Sequence, residues 1–133
     1  METKTKFVLH KHNADRAGIH YDLRIKNPET NLVWSWALPK SEIPTENKVY
    51  LAILTHDNSK PSILNFSGTI EKDNYGSGTI EIEDSGECII NKWLPNMISF
   101  TVKKSKKLIG SYHLIMTQQP NQWLFIKSKK EVN

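Results

Sequence analysis

The stretch from His10 to Arg24 carries three histidines within fifteen residues, together with Asp22 and its terminal arginine. Its second half, residues 20–25, alternates polar and apolar side chains with a period of two. That period predicts a β-strand in which His20, Asp22 and Arg24 share one face. We therefore expect one face of this strand to carry chemistry and the other to belong to the core.

Residues 7–12 also have an extended pattern, which places His10 and His12 on one face. The intervening residues 13–18 have the Asn, Asp and Gly content of a loop. Two such strands joined by a short loop predict a β-hairpin. The hairpin would bring His12 close to His20 and Asp22.

Two imidazoles and one carboxylate form a plausible three-ligand site for a divalent metal, with open positions for water or substrate. The mixed nitrogen and oxygen donors suit manganese, iron(II), zinc or cobalt better than calcium or magnesium. Arg24 would place a planar cation beside the metal, where it can hold a phosphate or carboxylate by two hydrogen bonds. The alternative is a polar strand face that is simply solvated.

The composition is that of one globular domain, residues 1–133 with short polar tails, expected to be a cytoplasmic monomer. Of 133 residues, 38% are hydrophobic and 24% charged, which is ordinary for a globular protein. The net charge of +4 and the pI near 9.1 favour polyanionic partners. The single Cys88 fits a reducing compartment. The start is polar and no apolar run is long enough to span a membrane, so we expect neither secretion nor membrane contact.

Many short strand-like runs separated by turn residues predict an all-β fold, a small antiparallel β-barrel with loops around a metal and phosphate site. The predicted strands are residues 7–12, 20–25, 33–38, 49–55, 63–70, 78–83, 88–92, 98–103, 111–118 and 122–127. We expect loops or turns at 39–47, 56–61, 75–78 and 84–86. The lysine clusters at 103–107 and 127–131 are interpreted as a solvated turn and tail, with contact to a phosphate backbone as the alternative.

The order of several motifs resembles the 3′-phosphoesterase domain of the bacterial ligase D repair system. Lys11-His12 and the HYDLR run at 20–24 match its signature, with a loop about two residues longer than usual. The runs SWALPK at 35–40, FSGTI at 66–70, YGSGT at 75–79 and WLFIK at 123–127 are similar to family motifs and follow in the same order. The length leads us to expect a stand-alone member of this family.

The resemblance implies that His12, His20 and Asp22 hold manganese, while Arg24 grips the phosphate at a 3′ end of DNA or RNA. The implied activity is removal of a terminal ribonucleoside and of a 3′-phosphate during DNA repair. A separate DNA ligase or repair polymerase would be a natural partner. Ser35, Lys40 and His10 are further candidates for the phosphate side, His10 replacing a family glutamine.

Some anion-binding positions depart from the family pattern. The resemblance places the family's anion-binding histidine on Asn58, its tyrosine at or near Ser62 and one arginine on Tyr50. His56 and Lys48 are candidate substitutes, with His56 as a catalytic acid.

These departures leave open a weakened or non-cleaving module that binds nucleic-acid ends. A further alternative is a 2-His-1-carboxylate iron oxygenase built on His20, Asp22 and His113.

Overall fold

The computed structural model describes residues 2–15, 18–70 and 77–129. Within them nine β-strands and one 3-10 helix follow each other along the chain. The strands are β1 Thr3–Ala14, β2 Gly18–Lys26, β3 Val33–Leu38, β4 Tyr50–Ser59, β5 Gly68–Ile70, β6 Gly78–Leu94, β7 Met97–Val102, β8 Gly110–Met116 and β9 Gln122–Lys127; the 3-10 helix is Pro61–Asn65. The prediction of an all-β fold is confirmed.

The strands form one antiparallel sheet that closes into a ring. The order is β1-β2-β3-β4-β9-β8-β7-β6-β5, and β6 also pairs with β1. The long strand β6 makes closure possible because it pairs with β1 along one edge and shares its other edge between β5 and β7. Eight strands, β1 to β4 and β6 to β9, therefore form the ring and have a neighbour on both sides, whereas the short β5 pairs with β6 alone.

The core lies inside the ring, where alternate residues of each strand converge. Phe7 and Leu9 of β1 and Leu23 and Ile25 of β2 belong to one buried cluster with residues of β7, β8 and β9. The side chains at the intervening positions of β1 and β2 therefore lie on the outer surface of this wall.

The tryptophans mostly belong to this core, as the sequence indicated. Trp36 and Trp123 are fully buried, and Trp34 and Trp93 pack partly buried against the same cluster. The rings of Trp34 and Trp36 have centroids 6.0 Å apart.

The predicted turn at 84–86 is wrong, because β6 runs without interruption from Gly78 to Leu94. A register shift between Leu9 and His10 in the pairing with β1 marks a β-bulge at this point. Asp84 does not turn the chain there. Its carboxylate accepts hydrogen bonds from the β7–β8 connection, including the backbone N–H groups of Lys107 and Leu108 at 2.9 and 3.0 Å.

Two further predictions around β4 are wrong. The turn expected at 56–61 is mostly strand, since β4 continues to Ser59 and pairs there with Val33. The strand expected at 63–70 is the 3-10 helix Pro61–Asn65 followed by the short strand β5. Proline fits the first turn of a helix, where its missing N–H is not needed, and Leu64 of this turn is buried against Val8 and Val33.

The predicted hairpin between β1 and β2 is confirmed by eight residue pairs, from Phe7 with Ile25 to Ala14 with Gly18. Residues 75–76 of the glycine-containing turn and the end of the 127–131 cluster lie outside the described residues. In residues 2–15, 18–70 and 77–129, no helix has the length and apolar character needed to cross a membrane.

Candidate metal centre

The register of the β1–β2 hairpin brings His12, His20 and Asp22 together. His12 lies directly opposite His20, and His10 directly opposite Asp22, so all four side chains lie on the same outer face. The Asp22 carboxylate is 3.1 Å from Nδ1 of His12 through one oxygen and 3.1 Å from Nε2 of His20 through the other. The two imidazole rings have centroids 4.8 Å apart.

This outer face is nevertheless largely withdrawn from solvent. Asp22 is 5% exposed, His12 6% and Arg24 7%. The 3-10 helix contributes to this cover, because its Leu64 packs against Val8 and Val33 on the same face of the wall. The result is a polar site with a small apolar patch beside it.

Arg24 is held in one orientation by three different partners. Its Nε donates to Nδ1 of His10 at 2.9 Å, its Nη1 donates to Oγ of Ser35 at 2.8 Å, and its Nη2 donates to Asp22 at 3.3 Å. A guanidinium has five N–H groups. The three bonds described here therefore leave two N–H groups for an anion.

The His10 side chain forms a hydrogen bond with Arg24 and is not exposed to solvent. It is fully buried, and its Nε2 donates to the carbonyl oxygen of Phe66 at 2.9 Å while its Nδ1 accepts from Arg24. Burial, followed by the charge of Arg24, lowers the pKa of His10 to about 4. His10 is thus a neutral ring at pH 7 with both nitrogens engaged, and we interpret it as a positioning residue for Arg24 in place of the direct phosphate contact expected from the sequence.

Asp22 is ionised despite its burial. Burial by itself would raise the pKa of its carboxyl, but hydrogen bonds from His12 and His20 and the charge of Arg24 outweigh it and hold that pKa well below its usual range. The hydrogen bond to Asp22 raises the pKa of His20 against the opposing effect of burial. A stable carboxylate beside two imidazoles is the donor set expected for a cation site.

The geometry of the three side chains fits a divalent metal. One ligand atom from each of His12, His20 and Asp22 lies within 4.8 Å of the others. Two donors bound about 2.1 Å from a common ion lie at most about 4.2 Å apart. Small side-chain rotations are therefore enough for all three to reach one ion, and His20 has a further hydrogen bond to the backbone of Gly18 that can orient its ring.

The other predicted substrate-side residues are not joined to the triad by a described contact, apart from Ser35 through Arg24. His56 is exposed and lies opposite Ser35 in the β3–β4 pairing. Lys48 makes a cation–π contact with Tyr50, its Nζ lying 5.3 Å from the ring centre. Exposed side chains are found at Lys40, Lys48, Asn58 and Ser62.

His113 cannot complete the alternative iron site. It lies on β8, which is four strands from β2 in either direction around the ring. Its ring nitrogens instead contact Oγ of Ser99 at 2.7 Å and Oγ of Ser128 at 2.6 Å. The oxygenase interpretation is therefore wrong, because the two elements it needs occupy opposite walls.

One contributor to the site was missed from the sequence, the carbonyl of Phe66. A backbone atom leaves no signature in residue type, and Phe66 is 56 positions from the His10 ring that it binds.

Comparison with known proteins agrees with this geometry. The family model for the DNA ligase D 3′-phosphoesterase domain matches residues 10–116. The multifunctional non-homologous end joining protein LigD of Mycolicibacterium smegmatis is 33% identical over 138 residues, covering 96% of this chain and 17% of that protein. LigD of Mycobacterium bovis and of Mycobacterium tuberculosis are each 33% identical over 129 residues, covering 94% of this chain and 16% of theirs. The chain thus spans about a sixth of the length of these relatives. It belongs to the DNA ligase D 3′-phosphoesterase domain family.

Proposed function

We propose that this protein is a manganese-dependent phosphoesterase that processes the 3′ ends of DNA or RNA. It would remove a terminal ribonucleoside and then the exposed 3′-phosphate. The observation that carries the proposal is the His12, His20 and Asp22 group, with His12 and Asp22 buried and His20 half-buried, beside a guanidinium that keeps two N–H groups for an anion.

The chain's own residues would prepare the substrate phosphate for attack. Arg24 would bind two of its oxygens and neutralise the charge that accumulates on them in the transition state. His10 and Ser35 keep the guanidinium fixed, so little reorganisation is needed when the phosphate arrives. A bound divalent ion would supply Lewis acidity toward a phosphoryl oxygen.

Protonation of the departing oxygen needs a separate acid. We assign this role to His56, which is exposed on β4, two strands away from Arg24, with Ser35 on the strand between them. Lys40, exposed in the turn after β3, and Lys48 and Asn58 would add to the anion-binding surface. Zinc, cobalt and iron(II) are alternative metals for the same donors.

The direct test uses a labelled primer-template ending in one ribonucleotide, and a second ending in a 3′-phosphate. With manganese we expect loss of the ribonucleoside from the first and of phosphate from the second. Chelation should stop both reactions. Binding of the primer without any metal-dependent change at either end would contradict the proposed activity.

A non-cleaving role in recognising nucleic-acid ends is the second candidate. It is favoured by Asn58 and Ser62, which stand where the family has a histidine and a tyrosine and are both exposed without a described contact to the triad. His56→Ala separates the two candidates, since an enzyme that uses His56 as its acid loses turnover on substrates with poor leaving groups while binding is retained.

The relatives are named for non-homologous end joining. We place the proposed activity in the same setting, where a DNA ligase or repair polymerase would use the cleaned end. Such partners would act in sequence on the nucleic acid.

A further inference from the structure

A lysine-rich loop, residues 103–107 between β7 and β8, is built onto the barrel wall in a way that a merely solvated turn does not require. Asp84 accepts hydrogen bonds from the backbone N–H groups of Lys106 and Lys107 at 3.2 and 2.9 Å, and from the hydroxyl of Ser105. Leu108, directly after the loop, also donates its N–H to Asp84 and is fully buried. The loop backbone is therefore fixed from both its middle and its end.

With the loop backbone held in this way, the charged lysine side chains of the loop point into solvent. Lys103, Lys104, Lys106 and Lys107 are all exposed. Two carboxylates lie beside them: Asp84, which accepts from the loop backbone, and Glu83, which pairs with Lys107 at 3.6 Å. The four lysines therefore outnumber the neighbouring carboxylates by two. The loop thus presents an excess of positive charge at low cost in chain entropy.

The loop reaches β2 from the inner side of the wall. Nζ of Lys107 is 5.9 Å from the centre of the Tyr21 ring, and that ring packs against the core cluster, on the face opposite to His20 and Asp22. A groove of about 450 Å³ runs between the loop and β6. It is lined on the β6 side by Ile82, Glu83, Asp84 and Ser85, and on the loop side by Lys104, Ser105 and Lys106.

Ile82 connects this groove to the site. It pairs with His10 across the β6–β1 ladder, and neighbouring strands are about 4.8 Å apart. The groove therefore begins one strand away from the residue that orients Arg24 and continues to the lysines.

We infer that this groove binds the phosphodiester backbone of the nucleic-acid strand upstream of the 3′ end that the metal centre receives. The inference rests on the proposed function for the direction of the strand, that is, for which end faces the metal centre. The attraction between the lysines and the phosphates does not depend on that function. Lys104 and Lys106 contact backbone phosphates, and Ile82 offers an apolar surface to a sugar or base. The surface reads no sequence, because phosphate contacts position a strand without specifying bases.

The test is Lys104→Gln with Lys106→Gln, which keeps the backbone N–H that Lys106 donates to Asp84. Binding of a labelled single strand of about 12 nucleotides, within the usual footprint of such surfaces, is measured by fluorescence anisotropy in chelator over a range of salt. Two lost phosphate contacts should lower the slope of log K against log salt by about 1.4 and weaken binding about 25-fold at ~0.1 M salt.

The matched control is Lys4→Gln with Lys92→Gln, two exposed lysines at the opposite end of the ring. It removes the same charge and should leave the slope within experimental error of the parent protein. An equal loss in both double variants, or no loss in either, would overturn the inference, as would an absence of strand binding by the parent protein. Tighter, loop-dependent binding to anionic phospholipid vesicles than to the oligonucleotide would also overturn it.

This result is separable from the activity itself. If the primer substrates are never cleaved but the salt slope falls as stated, the proposed chemistry fails and the strand-binding groove remains. If cleavage occurs and the slope is unchanged, the groove is rejected and the chemistry remains.

Discussion

Replacing Asp22 with asparagine tests the metal centre, because that carboxylate contacts every other member of it. Asp22 lies 3.1 Å from His12, 3.1 Å from His20 and 3.3 Å from Arg24. Asparagine keeps the shape but has one acceptor oxygen, and its amide group meets donors that it cannot satisfy. The substitution therefore removes both a metal ligand and the counter-charge of three basic groups.

The size of the effect follows from the burial of this network. Removing one member of a buried, hydrogen-bonded ion pair costs about 3 kcal/mol, which for a domain of this size lowers Tm by about 12 °C without metal. Manganese at about 100 times its Kd should stabilise the parent protein by about 2.7 kcal/mol. If the variant binds at least about a hundredfold more weakly, the same manganese contributes at most about 0.4 kcal/mol.

The assay is thermal unfolding with chelator and with added manganese, for the parent, Asp22→Asn and Glu87→Gln. Glu87 is an exposed carboxylate on β6, so the control makes the same acid-to-amide change away from the site and should keep the full manganese shift. Turnover on a 3′-phosphate primer should be lost in the Asp22 variant alone. An equal manganese shift in parent and Asp22→Asn proteins would refute the assignment of Asp22 as a ligand.

Three other predictions each concern the surroundings of one residue. His10→Ala frees Arg24 from one of its three partners, so we expect kcat to fall about 10- to 100-fold with unchanged manganese affinity; a loss of manganese affinity instead would make His10 a ligand. Asp84→Asn should lower the free energy of unfolding by about 2 kcal/mol at pH 7, because hydrogen bonds to a charged acceptor are lost. Burial acts to raise the pKa of Asp84, but hydrogen bonds from Ser105 and the loop backbone lower this pKa below its ordinary value of 3.8. The stabilisation by Asp84 is therefore complete above pH 3.8 and is lost as the pH falls through the lower pKa of the folded protein. If denaturant titration showed the same stability difference between parent and variant at low pH, this explanation would be contradicted. Cys88 is 1% exposed and burial raises its pKa to about 12, so iodoacetamide at pH 8 should label it only after unfolding, and rapid labelling of the native protein, seen by mass spectrometry, would be inconsistent with this burial.

The β1–β2 hairpin was readable from the sequence because its information is local. A period of two places His20, Asp22 and Arg24 on one face whatever the rest of the chain does. The loop between the strands is short, so antiparallel pairing follows and His12 meets His20.

The secondary-structure predictions at 84–86 and 63–70 were wrong because the residues there make contacts with residues far away in the sequence. Residues 84–86 have turn-forming residue types, yet Asp84 is used to hold a loop more than twenty residues later in the chain. Residues 63–70 have β-branched and aromatic side chains, yet Leu64 gains more by covering Val8 and Val33 than by extending a strand. Burial gained against distant residues outweighs weak local preference.

The sequence by itself determined the all-β class, the grouping of His12, His20 and Asp22 and the family motifs, since these depend on residue type and on spacing over a few positions. Only the tertiary structure decided that His10 orients Arg24 and binds the Phe66 carbonyl, that His113 lies on the opposite wall and that Asp84 holds the lysine loop. Those facts depend on which strand edges meet when the ring closes. Ring closure is set by the total burial of the core, and no short stretch of the chain encodes it.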